Sequence, residues 1–163
     1  MISFDSERLP ERVLDDTSWR ILELLQHDAR LSFAEIGRRV NMSSPAVAER
    51  VQRLEEAGII EGYHVKVNYA KLGYPIRAAI RIATMGHDNF EHALAVMNQI
   101  PEVIECHRLT GVDCYQVTVA VADMLRLEQV IRQLEVLGRT TTSMILTTPI
   151  ANKPIKPVAS IEV

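Results

Sequence analysis

The residue types best suited to chemistry lie between Ser44 and Arg53, where helical periodicity separates an apolar face from a polar one. At about 100° per residue, Val47, Val51 and Leu54 fall on one side of this segment. Arg and Gln side chains can each form two hydrogen bonds to a purine edge in the major groove, and small residues let a helix approach the groove closely. The segment therefore predicts a helix that reads bases. The residues predicted to face the duplex are Ser44, Pro45, Ala46, Glu49, Gln52 and Arg53.

Two further arginines precede this segment and a third lies within it. Arg38 and Arg39, near the end of the preceding predicted helix, suit phosphate contacts, which fix the orientation of a protein on DNA without reading its sequence. Arg50 lies at the edge of the apolar stripe, and two roles remain open for it: a phosphate contact or an internal salt bridge. Residues 36–54 carry four arginines and one glutamate, so this region is locally basic although the whole chain has a net charge of -3.

Three short amphipathic helices are predicted to position these side chains. Ser32 and Glu35 form a capping box at the start of the second helix, and Asn41 suits the left-handed conformation that often ends a helix. Two short helices joined by a tight turn form a helix-turn-helix, the arrangement in which the last helix enters the major groove. The predicted helices cover residues 15–26, 32–40 and 43–56, followed by a short hairpin or wing over residues 59–67.

From residue 74 the apolar period changes to two, which is typical of β-strands. The predicted order is strand, helix, strand, strand, helix, strand, which is the ferredoxin-like βαββαβ unit. The fold class is therefore α+β, with a (winged) helix-turn-helix followed by a ferredoxin-like domain. The predicted strands cover residues 76–83, 103–109, 114–121 and 140–148, and the predicted helices cover 89–99 and 123–137. The predicted parts are a DNA-binding domain over 1–63 with its core at 14–63, a linker strand over 64–73, the ferredoxin-like domain over 74–149 and an irregular tail over 150–163.

Composition restricts the class of protein. The 163 residues are 47% hydrophobic and 24% charged, which excludes a disordered chain and a highly basic nucleic-acid coat. No apolar stretch is long enough to span a membrane, and the two cysteines are too few for a disulfide scaffold. We therefore expect a cytoplasmic, nucleoid-associated protein with no membrane partner.

Catalysis has little support, and we expect neither enzyme activity nor a cofactor. No nucleophile elbow or phosphate loop is present. Cys106, His107, Asp113 and Cys114 invite a metal hypothesis, but adjacent strand residues face opposite sides, so Cys106 and His107 cannot easily share one ion. We expect no metal and interpret both cysteines as small core residues.

One face of the first predicted strand carries arginines and small residues. Arg77, Ala79, Arg81 and Ala83 lie opposite the isoleucines of the same strand. Such a face suits stacking on a second copy of the sheet, with the charges paired across a symmetry axis. We predict a homodimer formed through this face, in which two reading heads bind a pseudo-palindromic site on double-stranded DNA.

The residues resemble the N-terminal signature of the leucine-responsive and asparagine-regulator (Lrp/AsnC, feast/famine) transcription factors. The likeness extends over residues 14–149 and is most specific over residues 49–62. The residues that carry it include Leu14, Asp15, Ile21, Leu22, Asp28, Glu35, Ile36, Glu49, Arg50, Val51, Arg53, Leu54, Glu55, Gly58, Gly62 and Tyr63, then Gly111, Val112, Asp113, Cys114, Tyr115 and residues 138–143.

The resemblance implies a helix-turn-helix on an effector domain whose dimers assemble further into tetramers or octamers. It also implies that a small ligand, usually an amino acid, binds near the turn at Gly111. Members that respond to leucine carry acids directly after this glycine and two residues later, whereas here the acid stands at Asp113. Asp113 would take the ligand's ammonium and nearby hydroxyls its carboxylate. The predicted effector-binding residues are Thr110, Gly111, Val112, Asp113, Thr140, Thr141 and Thr142.

The favoured interpretation is a sequence-specific transcriptional regulator that responds to a small metabolite of the amino-acid class. Two alternatives remain. One is a metabolite-binding regulatory module that docks on an enzyme partner through its N-terminal helices. The other is a DNA-compacting protein without sequence preference.

Overall fold

The computed structural model describes residues 13–84 and 89–157. It divides into two compact units. Of the described residues, the helical unit contains 13–65 and 150–157, and the sheet unit contains 66–84 and 89–149. Parts of the predicted DNA-binding domain and of the predicted tail lie outside the described residues. Within the described ranges, no helix is long and apolar enough to cross a membrane.

Three helices build the helical unit: α1 (Asp16–His27), α2 (Phe33–Val40) and α3 (Ser44–Glu56). Each begins at a polar cap that satisfies a free amide of the first turn. Asp15 accepts from the Ser18 N–H at 2.8 Å, and Ser32 accepts from the Glu35 N–H at 3.2 Å. The helix starts predicted from these caps are confirmed. The buried core of the unit is formed by Ile21, Leu25, Ile36, Val40, Val47 and Val51.

The turn between α2 and α3 depends on one close backbone approach. Asn41 adopts the left-handed conformation (φ 55°, ψ 47°), and the Met42 N–H donates to the Gly37 carbonyl at 2.9 Å. A Cβ on Gly37 would lie 2.4 Å from the Met42 carbonyl oxygen, closer than side-chain carbons approach oxygen in folded proteins. Gly37 therefore allows α3 to begin directly beside α2.

The sheet unit has the predicted ferredoxin-like order of elements. Its strands are β1 (Ile76–Thr84), β2 (Val103–Arg108), β3 (Tyr115–Val121) and β4 (Gly138–Met144), and its helices are α4 (Phe90–Asn98) and α5 (Met124–Leu134). The strands form one antiparallel sheet in the order β2-β3-β1-β4. Alternate residues of β1 and β3 pack with the helices: Ala78, Ile80, Ile82, Tyr115, Val117, Val119 and Val121 are buried.

A partly buried ion pair fixes the start of α5 to the start of β2. The Arg126 guanidinium donates to both carboxylate oxygens of Glu102, at 2.6 and 2.9 Å. Hydrogen bonding from Arg126 outweighs desolvation and lowers the pKa of the Glu102 carboxyl. This pairing joins residues that are 24 positions apart, so the local periodicity of the sequence does not predict it.

The predicted wing and linker strand are not present among the described residues. Residues 61–68 are exposed coil, and a short 3-10 helix follows at Ala70–Leu72. An alternating sequence forms a strand only where a neighbour supplies hydrogen-bond partners. The last strand also differs from its prediction, since it begins at Gly138 and ends at Met144 rather than residue 148. Its partner β1 begins only after Pro75, whose missing N–H limits the ladder.

Gly37→Ala should destabilise the helical unit. Although alanine favours helix formation, its Cβ would overlap the Met42 carbonyl, and overpacking of this kind costs about 1–3 kcal/mol. We expect a lower urea midpoint for unfolding at fixed protein concentration. Arg38→Ala, a change at an exposed neighbouring position on α2, should stay within about 0.5 kcal/mol of the wild type. Equal midpoints for Gly37→Ala and the wild type would contradict the role assigned to this glycine.

Candidate DNA-binding surface and effector region

The two faces of α3 divide as the sequence predicts. Val47 and Leu54 are fully buried and Val51 is nearly so. Ser44, Pro45, Glu49, Gln52 and Arg53 are exposed, and Ala46 is half-buried. We call these six residues the recognition face. The Ser43 hydroxyl caps the helix by accepting from the Ala46 N–H at 3.4 Å, so the N-terminal turn that carries the small residues is well formed.

Polar side chains of the recognition face form hydrogen bonds to carboxylates one turn away on α3. Arg53 donates to Glu49, one turn earlier. Gln52 donates to the Glu56 carboxylate at 2.7 Å. Both side chains of the Arg53–Glu49 pair are more than half exposed, and exposed pairs of this kind contribute about 1 kcal/mol or less. Arg53 can therefore leave Glu49 and bind another anion at a small cost in free energy.

Arg38 and Arg39, in the last turn of α2, share the carboxylate of Glu35 in its first turn. Both guanidinium groups donate to Glu35, and the Arg39 Nε lies 3.1 Å from its Oε1. Hydrogen bonds from Arg38 and then Arg39 lower the pKa of the Glu35 carboxyl. Arg38 is the more exposed arginine, with 74% of its side-chain surface accessible. Two cations and one anion leave this helix end with a net positive charge.

Arg50 takes the internal one of its two predicted roles. Its Nη1 lies 2.7 Å from both carboxylate oxygens of Asp15 and 3.0 Å from the Ser18 hydroxyl. The ion pair connects α3 to the N-terminus of α1 across 35 residues. The structure thus shows the internal salt bridge, one of the two roles predicted for Arg50, and the phosphate contact stays a prediction. The buried Ser18, which sequence reasoning missed, is the third member of this cluster.

Tyr63 attaches the chain after Gly62 to the outer side of α3. Its hydroxyl donates to the Glu55 carboxylate at 2.9 Å. Desolvation and then Glu55 raise the pKa of Tyr63 to about 12, so the hydroxyl stays protonated and remains a donor. The sequence predicts a wing at Tyr63 and carries no local signal for this bond to α3.

The turn between β2 and β3 contains four of the predicted effector residues, Thr110, Gly111, Val112 and Asp113. Thr110, Gly111 and Val112 are exposed, and Val112 is 79% accessible. Gly111 has a φ of 116°, a conformation that other residues rarely adopt. The Leu109 N–H donates to the Cys114 carbonyl at 2.8 Å and closes the turn. Asp113 points back to β1, where its Oδ2 lies 3.7 Å from the Arg81 Nε.

The three predicted effector threonines do not share one face of the sheet. Thr141 pairs with Arg81, whereas Thr140 and Thr142 pair with Ile82 and Ile80, whose side chains lie on the helix-covered face. Successive side chains of a strand point to opposite sides. Thr141 therefore lies on the side of the Arg81–Asp113 pair and the other two do not, and the effector-binding role of all three stays a prediction.

The sheet face opposite the helices carries the arginines of β1. Arg81 pairs with Asp113, as described above. Arg77, on the same face, lies over the Tyr69 ring and donates to the Thr148 hydroxyl at 3.3 Å. The Arg77 Nε is buried without a hydrogen-bond partner among the described residues. Asp113 therefore offsets the charge of Arg81 within the chain, whereas the described partners of Arg77 carry no negative charge.

The cysteines are not both core residues as predicted. Cys106 is exposed on the edge strand β2, and its Sγ contacts the Met97 Sδ at 3.3 Å. Cys106 is exposed because β2 is an edge strand with a neighbouring strand, β3, on one side only. Cys114 is half-buried, with its Sγ 3.0 Å from the Thr84 hydroxyl. Among the described residues, no group of three or more His, Cys, Asp or Glu side chains is arranged to hold a metal.

Both units match known protein families. Residues 14–55 match the AsnC-type helix-turn-helix domain, and residues 77–155 match the Lrp/AsnC ligand binding domain. Over 132 residues the chain is 33% identical to the HTH-type transcriptional regulator LrpC of Bacillus subtilis, covering 81% of this chain and 91% of LrpC.

Solved structures show the same similarity. The structure of B. subtilis LrpC superposes with a TM-score of 0.79 at 31% sequence identity, covering 86% of this chain and 99% of that one. The feast or famine regulatory protein of M. tuberculosis complexed with L-methionine gives a TM-score of 0.81 at 29% identity, covering 88% and 99%.

Asp15→Asn should lower stability at neutral pH and lose this effect in acid. Burial opposes ionisation of Asp15, but the Ser18 amide and Arg50 together lower its pKa below the usual 3.8. A carboxyl with a lowered pKa stabilises the fold above its unfolded pKa, and the contribution disappears as the pH falls through the folded value. Asparagine keeps the cap but removes the charge. In urea unfolding we expect a deficit of about 1 kcal/mol at pH 7, since the pair is partly exposed, and a smaller one near pH 3.

The matched control for this pH dependence is Asp16→Asn, the neighbouring exposed carboxylate. Its unfolding free energy should stay within about 0.5 kcal/mol of the wild type at both pH values. A deficit for Asp15→Asn that is the same at pH 7 and pH 3 would show that the charge of Asp15 is not what stabilises the contact.

Proposed function

The chain belongs to the Lrp/AsnC family of transcriptional regulators, and on that premise we propose that its recognition face binds a specific duplex sequence under the control of an amino-acid-like metabolite. The observation that carries the DNA-binding part is the division of α3, in which the valines are buried while Glu49, Gln52 and Arg53 are exposed together. These side chains have the donors and acceptors that distinguish base pairs in the major groove.

On binding DNA, the exposed arginines exchange their carboxylate partners for groups of the duplex. Arg53 leaves Glu49 to bind a purine edge, and Arg38 and Arg39 leave Glu35 to bind phosphates. Each exposed pair contributes little to the free protein, so the exchange costs little. Arg50 acts indirectly, because its bond to Asp15 holds α3 against α1 and sets the direction of the recognition face.

Two copies are needed for specific binding in this proposal. A single short helix reads only a few base pairs, whereas a homodimer presents two recognition faces to a pseudo-palindromic operator. The face of β1 that carries Ala79 and Ala83 between Arg77 and Arg81 is the proposed dimer surface, and dimers would assemble further into tetramers or octamers. Binding to DNA would associate the protein with the nucleoid in the cytoplasm.

The effector region lies at the turn around Gly111. The L-methionine complex of the M. tuberculosis relative supports an amino acid as the ligand class. In this chain the ammonium of such a ligand would bind Asp113, in competition with Arg81, and the backbone amides of the exposed residues Thr110, Gly111 and Val112 would donate to its carboxylate. Thr141 lies on the same side of the sheet as the Asp113–Arg81 pair, whereas Thr140 and Thr142 would contribute only from the other side.

Arg53→Ala should relax base preference, whereas Arg38→Ala should weaken all sequences alike. Loss of a bidentate base contact costs about 1–3 kcal/mol for the preferred site, which is roughly 5- to 150-fold in affinity. Loss of a phosphate contact lowers the dependence of log affinity on log salt by about 1 per contact. The measurement is a gel-shift titration at several salt concentrations on an operator selected from genomic fragments.

Arg132→Ala is the matched control for both DNA-binding variants. Arg132 forms an exposed pair with Glu128 one turn away on α5, as Arg53 does with Glu49 on α3. Its removal should leave operator affinity and salt dependence unchanged. Wild-type protein that shifts no fragment would favour the enzyme-docking module, and equal affinity for all fragments would favour a DNA-compacting protein.

Asp113→Asn should weaken amino-acid binding by about tenfold or more, because it removes the anionic partner of the ligand's ammonium. The measurement is calorimetric titration of the wild type with the common amino acids, followed by titration of the variant with those that bind. Glu128→Gln, which removes an exposed carboxylate of α5, should bind as the wild type does. Absence of heat for every amino acid would contradict the effector proposal while leaving the DNA-binding proposal intact.

A further inference from the structure

We propose that the exposed side of α1 around Gln26 is a docking surface for the chain's own residues 150–157, here called the tail segment. This segment follows the sheet unit in the sequence, yet it packs with the helical unit. Docking would therefore join the two units by a second chain connection in addition to the one near residue 65. The inference stands independently of the function proposed for α3.

The contact between the tail segment and α1 is a two-point hydrogen bond. The Ile155 N–H donates to the Gln26 Oε1 at 2.9 Å. The Gln26 Nε2 donates in turn to the Ile155 carbonyl at 3.5 Å. A glutamine side chain carries the same donor and acceptor as a peptide group, so it can bond one residue of an extended chain as a neighbouring strand would. The two residues are 129 positions apart.

The sequence of the tail segment suits docking in an extended form. Pro154 and Pro157 fix their own backbone angles, and each restricts the residue before it to extended conformations. The segment therefore loses little conformational freedom when it binds. Prolines also lack an N–H, so Ile155 and Lys156 supply the backbone donors of residues 154–157. One of these two donors is the group bound by Gln26.

Recognition works through the backbone rather than through the Ile155 side chain. That side chain is 71% exposed, whereas Pro154 is half-buried. An apolar anchor would show the opposite pattern of burial. The docking surface is therefore expected to tolerate other side chains at position 155 but to require the amide of Gln26.

The proposed docking gives the helical unit two covalent connections to the sheet unit. One leaves after Tyr63, which is bonded to Glu55 on α3, and the other arrives at Ile155, which is bonded to Gln26 on α1. A displacement that begins at β4 then has a direct chain route to α1, separate from the route that reaches α3.

Hydrogen exchange measured by mass spectrometry on the full-length protein tests the proposal. The reference is a synthetic peptide of residues 150–163, whose amides exchange without protection. In the wild type we expect the Ile155 amide to exchange at least tenfold more slowly than in that peptide. Gln26→Ala should return it to the peptide rate. Glu23→Ala, an exposed change on the same helix, should leave the protection unchanged.

Two further measurements separate the possible outcomes. Ile155→Ala keeps both backbone groups, so the protection should persist, and its loss would overturn recognition through the backbone. Protection that rises with protein concentration would show that the tail segment of a second copy occupies the surface, which would overturn docking within the chain. Exchange of the wild type at the peptide rate would overturn the proposal altogether. None of these results depends on whether the protein binds DNA.

Discussion

The close approach of the Met42 carbonyl to Gly37 is the constraint on which the helical unit depends. It allows α3 to begin beside the end of α2, so that the valines of α3 reach the core while the polar residues remain outside. The contact between Arg50 and Asp15 then fixes the other side of α3 to the start of α1. One backbone contact and one ion pair therefore set the direction in which the recognition face points.

The ion pairs are of two kinds, those between residues distant in sequence and those within one helix. Arg126 with Glu102 and Arg50 with Asp15 connect residues that are distant in sequence and are partly shielded from water. Their geometry is specific, because each carboxylate has both oxygens engaged. The pairs along α2 and α3 are local and exposed, and water screens them strongly. Pairs of the second kind can be exchanged for a ligand without loss of the fold.

Local signals in the sequence predicted most of the fold. The caps at Asp15, Ser32 and Ser43 and the alternating pattern of β1 act within a few residues, so helix starts and strand faces were correct. Features that depend on distant partners were not predictable in this way. The wing was expected from an alternation that has no described neighbour to pair with, and Arg50 kept two roles until its partner 35 residues away was known. For the three threonines predicted to bind the effector, strand periodicity itself places the middle one on the other face of the sheet from its two neighbours.

The internal pairing of the exposed arginines has a consequence for selectivity among anions. A carboxylate already occupies each guanidinium, so an incoming group must outcompete it rather than meet a bare cation. A carboxylate of another protein would only replace the carboxylate that each arginine already binds, so the exchange would gain no free energy. A duplex presents closely spaced phosphates and also releases condensed counterions when it is bound. The surface would thus discriminate by charge density as well as by sequence, and remain inert toward ordinary acidic proteins.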